Sequence, residues 1–346
     1  MFTLALTTAF ALLSSLVASQ PCDIYAIGNT PCVAAHSTTR ALYSKYNGPL
    51  YEVVRASDGQ YQVISTVSAG GIANSGVQDS FCAGTTCSIY AIYDQSGNGN
   101  DLLPAPPGGA MSGPGPNGYD LMANATMAPV LLNGQKVYGV YSPTKTGYRN
   151  DNTKNVPTGN NPEGMYWVVD AQHYNGICCF DYGNAETDNT DDGAGTMEAL
   201  NFGLMIGTTH GAGSGPWIQA DLENGIFAGN TPGAFNTPAS ENPNNPTITS
   251  EFATGIVKGD SSNLWAIRGG DAQSGGLTTF YSGSRPSGYY PMNKKGAIIL
   301  GIGGDNSNNA VGTFYEGAMV SGYPNDNIEA YVQADIVQNA KYSRAS

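Results

Sequence analysis

Basic residues are scarce in this chain. Its 346 residues hold 14 Lys and Arg against 27 Asp and Glu, a formal net charge of −13. A protein that neutralises phosphates needs the opposite balance, so a nucleic-acid partner is excluded as an expectation. Histidine is scarcer still, with three copies, at 36, 173 and 210. No GxSxG elbow occurs, so a serine or cysteine nucleophile working with histidine has little support. Chemistry, if the chain performs any, falls to carboxylates. Long apolar runs are missing beyond the first nineteen residues, and no other stretch is suited to spanning a membrane. Extended helical periodicity is missing too. Charged residues make up only 12% of the chain, beside 46 glycines and 21 tyrosines. That composition suits a loop-rich β protein, because glycine disfavours helices and aromatics favour strands.

The opening MFTLALTTAFALLSSLVAS (1–19) has an apolar core followed by small residues. It reads as a secretory signal peptide cut near Ser19/Gln20, which makes the protein secreted and extracellular. A membrane anchor is the other reading of such a stretch. The rest, 20–346, is expected to be a single domain and a monomer. The six cysteines fall into three close pairs: Cys22 with Cys32, Cys82 with Cys87, and Cys178 with Cys179. Disulfides within each pair are expected in a secreted chain. Zinc is the alternative, but the spacings lack the CxxC pattern of zinc sites. No metal and no cofactor are expected.

Short strands are expected at YEVVRA, YQVISTV, SIYAIYDQ, PVLLNG, MYWVVDA, LWAIRGG and GAIILGIGG. Gly, Pro, Asn and Asp clusters separate them. Helices are expected at 32–46 and at 327–342, where apolar residues recur at helical spacing. Strands at this density predict an all-β, two-sheet sandwich with a few short helices. The segment 236–250 is expected to be a surface loop or edge. Asn124-Ala125-Thr126 is a glycosylation sequon.

Two familiar patterns mislead. GPGPNG (113–118) matches GxGxxG, but its prolines block the helix that a dinucleotide fingerprint requires. DNTDDG (188–193) begins like a calcium loop, but position 12 is Ala199, where a bidentate Glu is needed. It reads as a solvated acidic loop; a calcium site built from other ligands is the alternative.

The stretch GPWIQADLENG (215–225) carries more information. As a strand it points Ile218, Ala220 and Leu222 to a core. Trp217, Gln219, Asp221 and Glu223 then share the other face. Neighbouring carboxylates raise one another's pKa, a cost that a sugar-cleaving site has reason to accept. An ordinary polar sheet face is the competing reading. A second candidate is AIILGIGGDNSNN (297–309), where a buried strand runs into Gly303-Gly304-Asp305. The Asp could be held by Asn306, Ser307 and Asn308 and aimed into a cleft. An Asx turn closing the strand is the alternative.

Taken together, PCDIYAIGNTPCVAAHSTTRALYSKYNGPLYEVVR, SIYAIYDQSGNGNDL, GICCFDYGN, WIQADLENG and LGIGGDNSN resemble the catalytic domain of the family 54 α-L-arabinofuranosidases, the fungal arabinofuranosidase B type. The resemblance runs from about Gln20 to Tyr342. It implies a concanavalin-like β-sandwich. It also implies exo-acting release of terminal α-L-arabinofuranose from arabinan and arabinoxylan side chains, with retention of configuration. By motif, Glu223 matches the family's nucleophile and Asp305 its acid/base. Asp221, Asn224, Gly225 and Gly304 match positions that contact the sugar, and Trp217 is expected beside them. A retaining pair needs its carboxyl groups about 5–5.5 Å apart. Negative charge on Asp221 is expected to help keep Asp305 protonated.

The resemblance also implies that Cys178 and Cys179 form a vicinal disulfide against the bound sugar. A reduced pair is the alternative. Two departures from the family stand out. Family members continue into a C-terminal β-trefoil that binds arabinose side chains, and this module is expected to be absent here. The segment GTTHGAGSGPW (207–217) lacks a tryptophan that family members carry, so one pocket wall is expected to differ. The expected partner is a plant cell-wall polysaccharide or oligosaccharide. A non-catalytic arabinoside-binding sandwich, or a structural wall protein, would be the alternatives to an enzyme.

Overall fold

The computed structural model describes residues 19–229 and 240–345. The expected leader lies outside them, Ser19 apart, as does part of the expected loop at 236–250. Two seven-stranded antiparallel sheets stack face to face. The first runs Cys32–Ser37, Gly312–Ser321, Glu163–Asp170, Phe252–Gly259, Leu264–Asp271, Thr278–Ser284, with Val140–Ser142 also paired to Gly312–Ser321. The second runs Ile226–Phe227, Trp217–Asp221, Glu198–Gly203, Asp181–Ala185, Ala297–Leu300, Tyr148–Asn150, Leu103–Pro104. Among the described residues, no helix is long and apolar enough to cross a membrane.

Side-chain alternation along the second sheet sorts its residues into two environments. Tyr182, Leu200, Phe202, Ile218, Ala220, Ile298 and Leu300 face the first sheet and join the main core. Burying a side chain such as Phe202 or Leu300 is worth about 1.5–3 kcal/mol. The odd-numbered neighbours face away. Ala185, Met197, Ala199, Ala297 and Ile299 form a separate small apolar cluster there. Asp181, Asn201, Gln219 and Asp221 share that parity, and the pairing register sets them in adjacent rows. The expected split of GPWIQADLENG between a core face and a polar face is therefore seen, but the polar face is buried too: Gln219 is 0% exposed and Asp221 6%.

One expected helix forms and one does not. Asp326–Asp335 is helical, capped by Asn325, whose side chain accepts from the Asn327 and Ile328 amides, and a π-helical turn continues it to Ala340. Residues 32–46 are not a helix. Cys32–Ser37 is a strand on the edge of the first sheet, paired with Gly312–Ser321. Ser37 Oγ then accepts from the Thr39 and Arg40 amides at 3.1 Å, which turns the chain. Intrinsic helix preference is weak, and long-range pairing with a ten-residue strand outweighs it. The actual N-terminal helix is Pro21–Ile27, with proline at its start.

Buried ion pairs lock the sheets to their surroundings. Arg40 meets Glu316 at 2.6 Å and Asp335 at 2.7 Å. Lys258 meets Glu329 at 2.9 Å, and Arg268 pairs with the same carboxylate. Lys294 bridges Glu163 and Glu198, each at 3.1 Å. Disulfides join Cys22 to Cys32, Cys82 to Cys87, and Cys178 to Cys179.

Candidate active site

Trp217–Asp221 and Ile226–Phe227 form a hairpin. The Leu222 amide donates to the Gly225 carbonyl at 3.1 Å, so Glu223 and Asn224 are the two residues of the turn. Both have positive φ, 60° and 55°, as a type I′ hairpin turn demands. Asn tolerates that conformation, whereas Glu does so at a cost. The strained residue lines the cavity. Its amide donates to Asp221 Oδ1 at 3.1 Å. The Asn224 side chain donates to Asp191 Oδ1 at 3.0 Å, and its carbonyl accepts from Tyr289 Oη at 2.9 Å.

Asp305 arrives from the other side. It follows Ala297–Leu300 on the loop Gly303-Gly304-Asp305, half-buried. Its Oδ1 accepts from the Ser307 amide at 3.0 Å and the Ser307 hydroxyl at 2.7 Å. This Asx turn orients the carboxyl, so the turn and the site are one feature. The Ser307 carbonyl accepts from the amides of Gly303 at 3.1 Å and Cys179 at 3.2 Å. The acid loop and the cysteine pair are thereby stitched together. Cys178 and Cys179 are bonded across a cis peptide, and Cys179 Sγ lies 3.4 Å from Asp221 Oδ2.

These pieces enclose a cavity of about 370 Å³. Cys178, Cys179, Asp221, Glu223, Asn224, Gly225, Gly304 and Asp305 all line it. So do Met205, Gly207 and Thr208, in and just before the segment that lacks the expected tryptophan. Trp217 does not. It is 2% exposed, donates through Nε1 to the Ala212 carbonyl at 3.0 Å, and packs on His210. The first residue of the strand sits too far from the turn to reach the cavity. The sulfurs of the cysteine pair and Asp221 come within 4.8 Å of one another, but the sulfurs are spent on each other, which removes the thiolates a metal would need.

Sequence reasoning missed two further carboxylates. Asp181 is 0% exposed and accepts from Asn201 Nδ2 at 2.6 Å. Glu186, also fully buried, accepts from Thr196 Oγ1 at 2.5 Å. Its other oxygen occupies the space a Cβ on Gly304 would take, and Glu223 Oε2 lies 3.1 Å from that point. Alternation along FDYGNAE could have exposed Asp181 as a charge on a strand face; nothing local distinguishes Glu186.

Burial and mutual repulsion hold protons on this cluster. Burial pushes the Asp181 carboxyl up to about 8. Asp221 is raised well above the usual range, by burial first and then by Asp181. Glu186 is raised by burial. Glu223 is pushed up to about 10 by burial, then by Asp221, Glu186, Asp191 and Asp305. Such closely spaced groups titrate together, and their protons belong to the set. Burial beside Asp181 thus favours a proton on Asp221, which runs against the expectation that it acts through negative charge.

The family of α-L-arabinofuranosidase B catalytic domains matches residues 21–343. The chain belongs to that family. It is 61% identical over 334 residues to a probable α-L-arabinofuranosidase B of Aspergillus fumigatus, covering 96% of this chain and 64% of the relative. It is 60% identical to an α-L-arabinofuranosidase of Hypocrea jecorina, with the same coverage. It therefore spans a little under two thirds of the length of these relatives. A solved arabinofuranosidase in complex with arabinofuranosyl-α-1,2-xylobiose superposes with a TM-score of 0.90 at 57% identity, over 94% of this chain and 66% of that one. A glutamate-to-glutamine variant of a family 54 enzyme soaked with 4-nitrophenyl α-L-arabinofuranoside superposes equally well at 56% identity. The family's β-sandwich is the fold described above.

Proposed function

We propose that this chain is the catalytic part of a secreted, exo-acting, retaining α-L-arabinofuranosidase. It would act on terminal arabinofuranosyl groups of arabinan and arabinoxylan. One observation carries the reading: Glu223 on a strained hairpin turn and Asp305 on a separate loop line the same cavity. Relatives that bind or are named for arabinofuranosides support the substrate class, and three disulfides support an oxidising compartment.

In this reading Glu223 attacks the anomeric carbon and forms an arabinosyl-enzyme. Asp305 protonates the departing oxygen, then takes a proton from the incoming water. Glu223 must be ionised to attack. A proton retained on Asp221 removes the strongest repulsion on it and leaves the negative charge on Glu223. Neutral Asp221 is then a hydrogen-bond donor facing the sugar pocket. The disulfide and Gly304 line the same cavity as both carboxyls and would wall the sugar there.

The test is arabinose release from 4-nitrophenyl α-L-arabinofuranoside, with the anomer of the first product read by NMR. Glu223→Gln is expected to lose on the order of 10⁴-fold in kcat. Full activity in that variant would sink the assignment. Binding of an arabinoside without turnover by the unaltered protein would identify a binding module.

A further inference from the structure

Behind the loop that carries Asp305 lies a carboxylate with no part in the chemistry above. Asp120 is 3% exposed. Its Oδ1 accepts from Asn308 Nδ2 at 2.6 Å and from Asn306 Nδ2 at 3.4 Å. Its Oδ2 is buried without a hydrogen-bond partner among the described residues. The Asp120 amide donates to the Ala105 carbonyl at 2.9 Å, so the residue is fixed from its own side.

The two asparagines follow Asp305 in sequence and bracket Ser307, the residue whose amide and hydroxyl orient the Asp305 carboxyl. Asn306 has φ +67° and donates its amide back to the Gly303 carbonyl at 3.1 Å. Its side chain also reaches the Met111 carbonyl at 3.2 Å. Lys145 holds Asn308 from the other side, through Nζ to Oδ1 at 3.0 Å and amide to carbonyl at 2.6 Å. A positive-φ residue persists where its surroundings over-determine it. Hydrogen bonds to a charged acceptor are the strong ones available for that purpose.

We propose that Asp120 is a positioning residue for Asp305, anchoring the acid/base loop from behind through Asn306 and Asn308. This rests on the assignment of Asp305 as acid/base. Burial lifts the Asp120 carboxyl to about 6 against the pull of Asn308, Asn306 and Lys145, so it is largely ionised at neutral pH. Asp120 touches neither the cavity nor Glu223, so its loss should act on proton transfer at Asp305 and spare the nucleophile.

That separation is measurable. Protonation matters for a poor leaving group and hardly at all for an activated phenolate. For Asp120→Ala, kcat/KM on phenyl α-L-arabinofuranoside should fall by about tenfold to a hundredfold. On the dinitrophenyl arabinofuranoside it should change by less than about threefold. With the activated substrate kcat should still fall, because the second step needs the general base. Added azide should restore it by attacking the arabinosyl-enzyme without deprotonation. Asp120→Asn keeps an oxygen acceptor but loses the charge, so on the phenyl substrate it should fall between Asp120→Ala and the parent. If Asp120→Ala does not fold, Asn308→Ala breaks the same link from the other end and should show the same leaving-group split. Equal losses on both substrates, or no loss on either, would overturn the role of Asp120. An unaltered protein that releases no arabinose from either substrate would overturn the enzymatic reading itself.

Discussion

Gly304→Ala tests how tightly the two catalytic sides are set together. A Cβ at Gly304 would overlap Glu186 Oε2 and lie 3.1 Å from Glu223 Oε2. Gly304 does not have a positive φ, so the backbone tolerates alanine and only the new methyl matters. Real Cβ atoms essentially never approach as closely as this one would approach Glu186. Glu186 is held by Thr196, and Arg149 donates to the carbonyls of both Glu186 and Gly304. The easier relief is therefore to push Glu223 and the sugar-facing wall outward. A displacement approaching 1 Å costs about 10²-fold in rate, or about 2.7 kcal/mol in transition-state stabilisation. Overpacking costs a further ~1–3 kcal/mol of stability. The assay is kcat/KM on an aryl arabinofuranoside, with a thermal melt alongside. Gly76→Ala serves as control, since its Cβ would meet only Asn74 Oδ1 at 3.7 Å. Activity in Gly304→Ala within about threefold of the parent would refute the convergence of Glu186 and Glu223 on this glycine.

Other outcomes follow from the same structure. Asp181 and Asp221 keep protons in the folded state that an unfolded chain would release near pH 4. The stability they confer is complete below that pH and is lost as pH rises through their folded values. Between pH 7 and 8, above the range of the buried histidines, stability should fall by about 1.4 kcal/mol per pH unit for each retained proton. Thermal melts should show the decline, and Asp181→Asn should flatten it; a midpoint that rises across this interval refutes the reading. Glu329→Ala removes the buried carboxylate that Lys258 and Arg268 share and leaves them only the exposed Asp326 carboxyl as an ion-pair partner; it should cost about 3 kcal/mol in denaturant titration. Alkylation followed by mass spectrometry should find no free thiol at Cys178 or Cys179, and replacing both with alanine should raise KM more than it lowers kcat. A mass loss on deglycosylation that disappears in Asn124→Gln would place a glycan on the sequon.

Much of this protein was legible along the chain. Period-two alternation in WIQAD and the apolar run AIIL announce strands, because a strand's two faces are written in adjacent residues. The Asp305 turn was readable for a similar reason: its partner, Ser307, lies two positions away. The strand at 32–37 was misread because its partner lies some 280 residues distant, and local preference cannot register that pairing. Trp217 shares the parity of Glu223, but parity sets the direction of a side chain and not its distance from the turn.

The sequence alone therefore determined the sandwich and the turn and loop that bring Glu223 and Asp305 to the cavity, since each is encoded over a few neighbouring residues. Only the tertiary structure decided which carboxyls meet. Asp181, Glu186 and Asp120 reach Asp221, Gly304 and the Asp305 loop across sheet pairings and long connections. Electrostatic coupling follows distance in space, and protonation follows burial. Neither is written in sequence order.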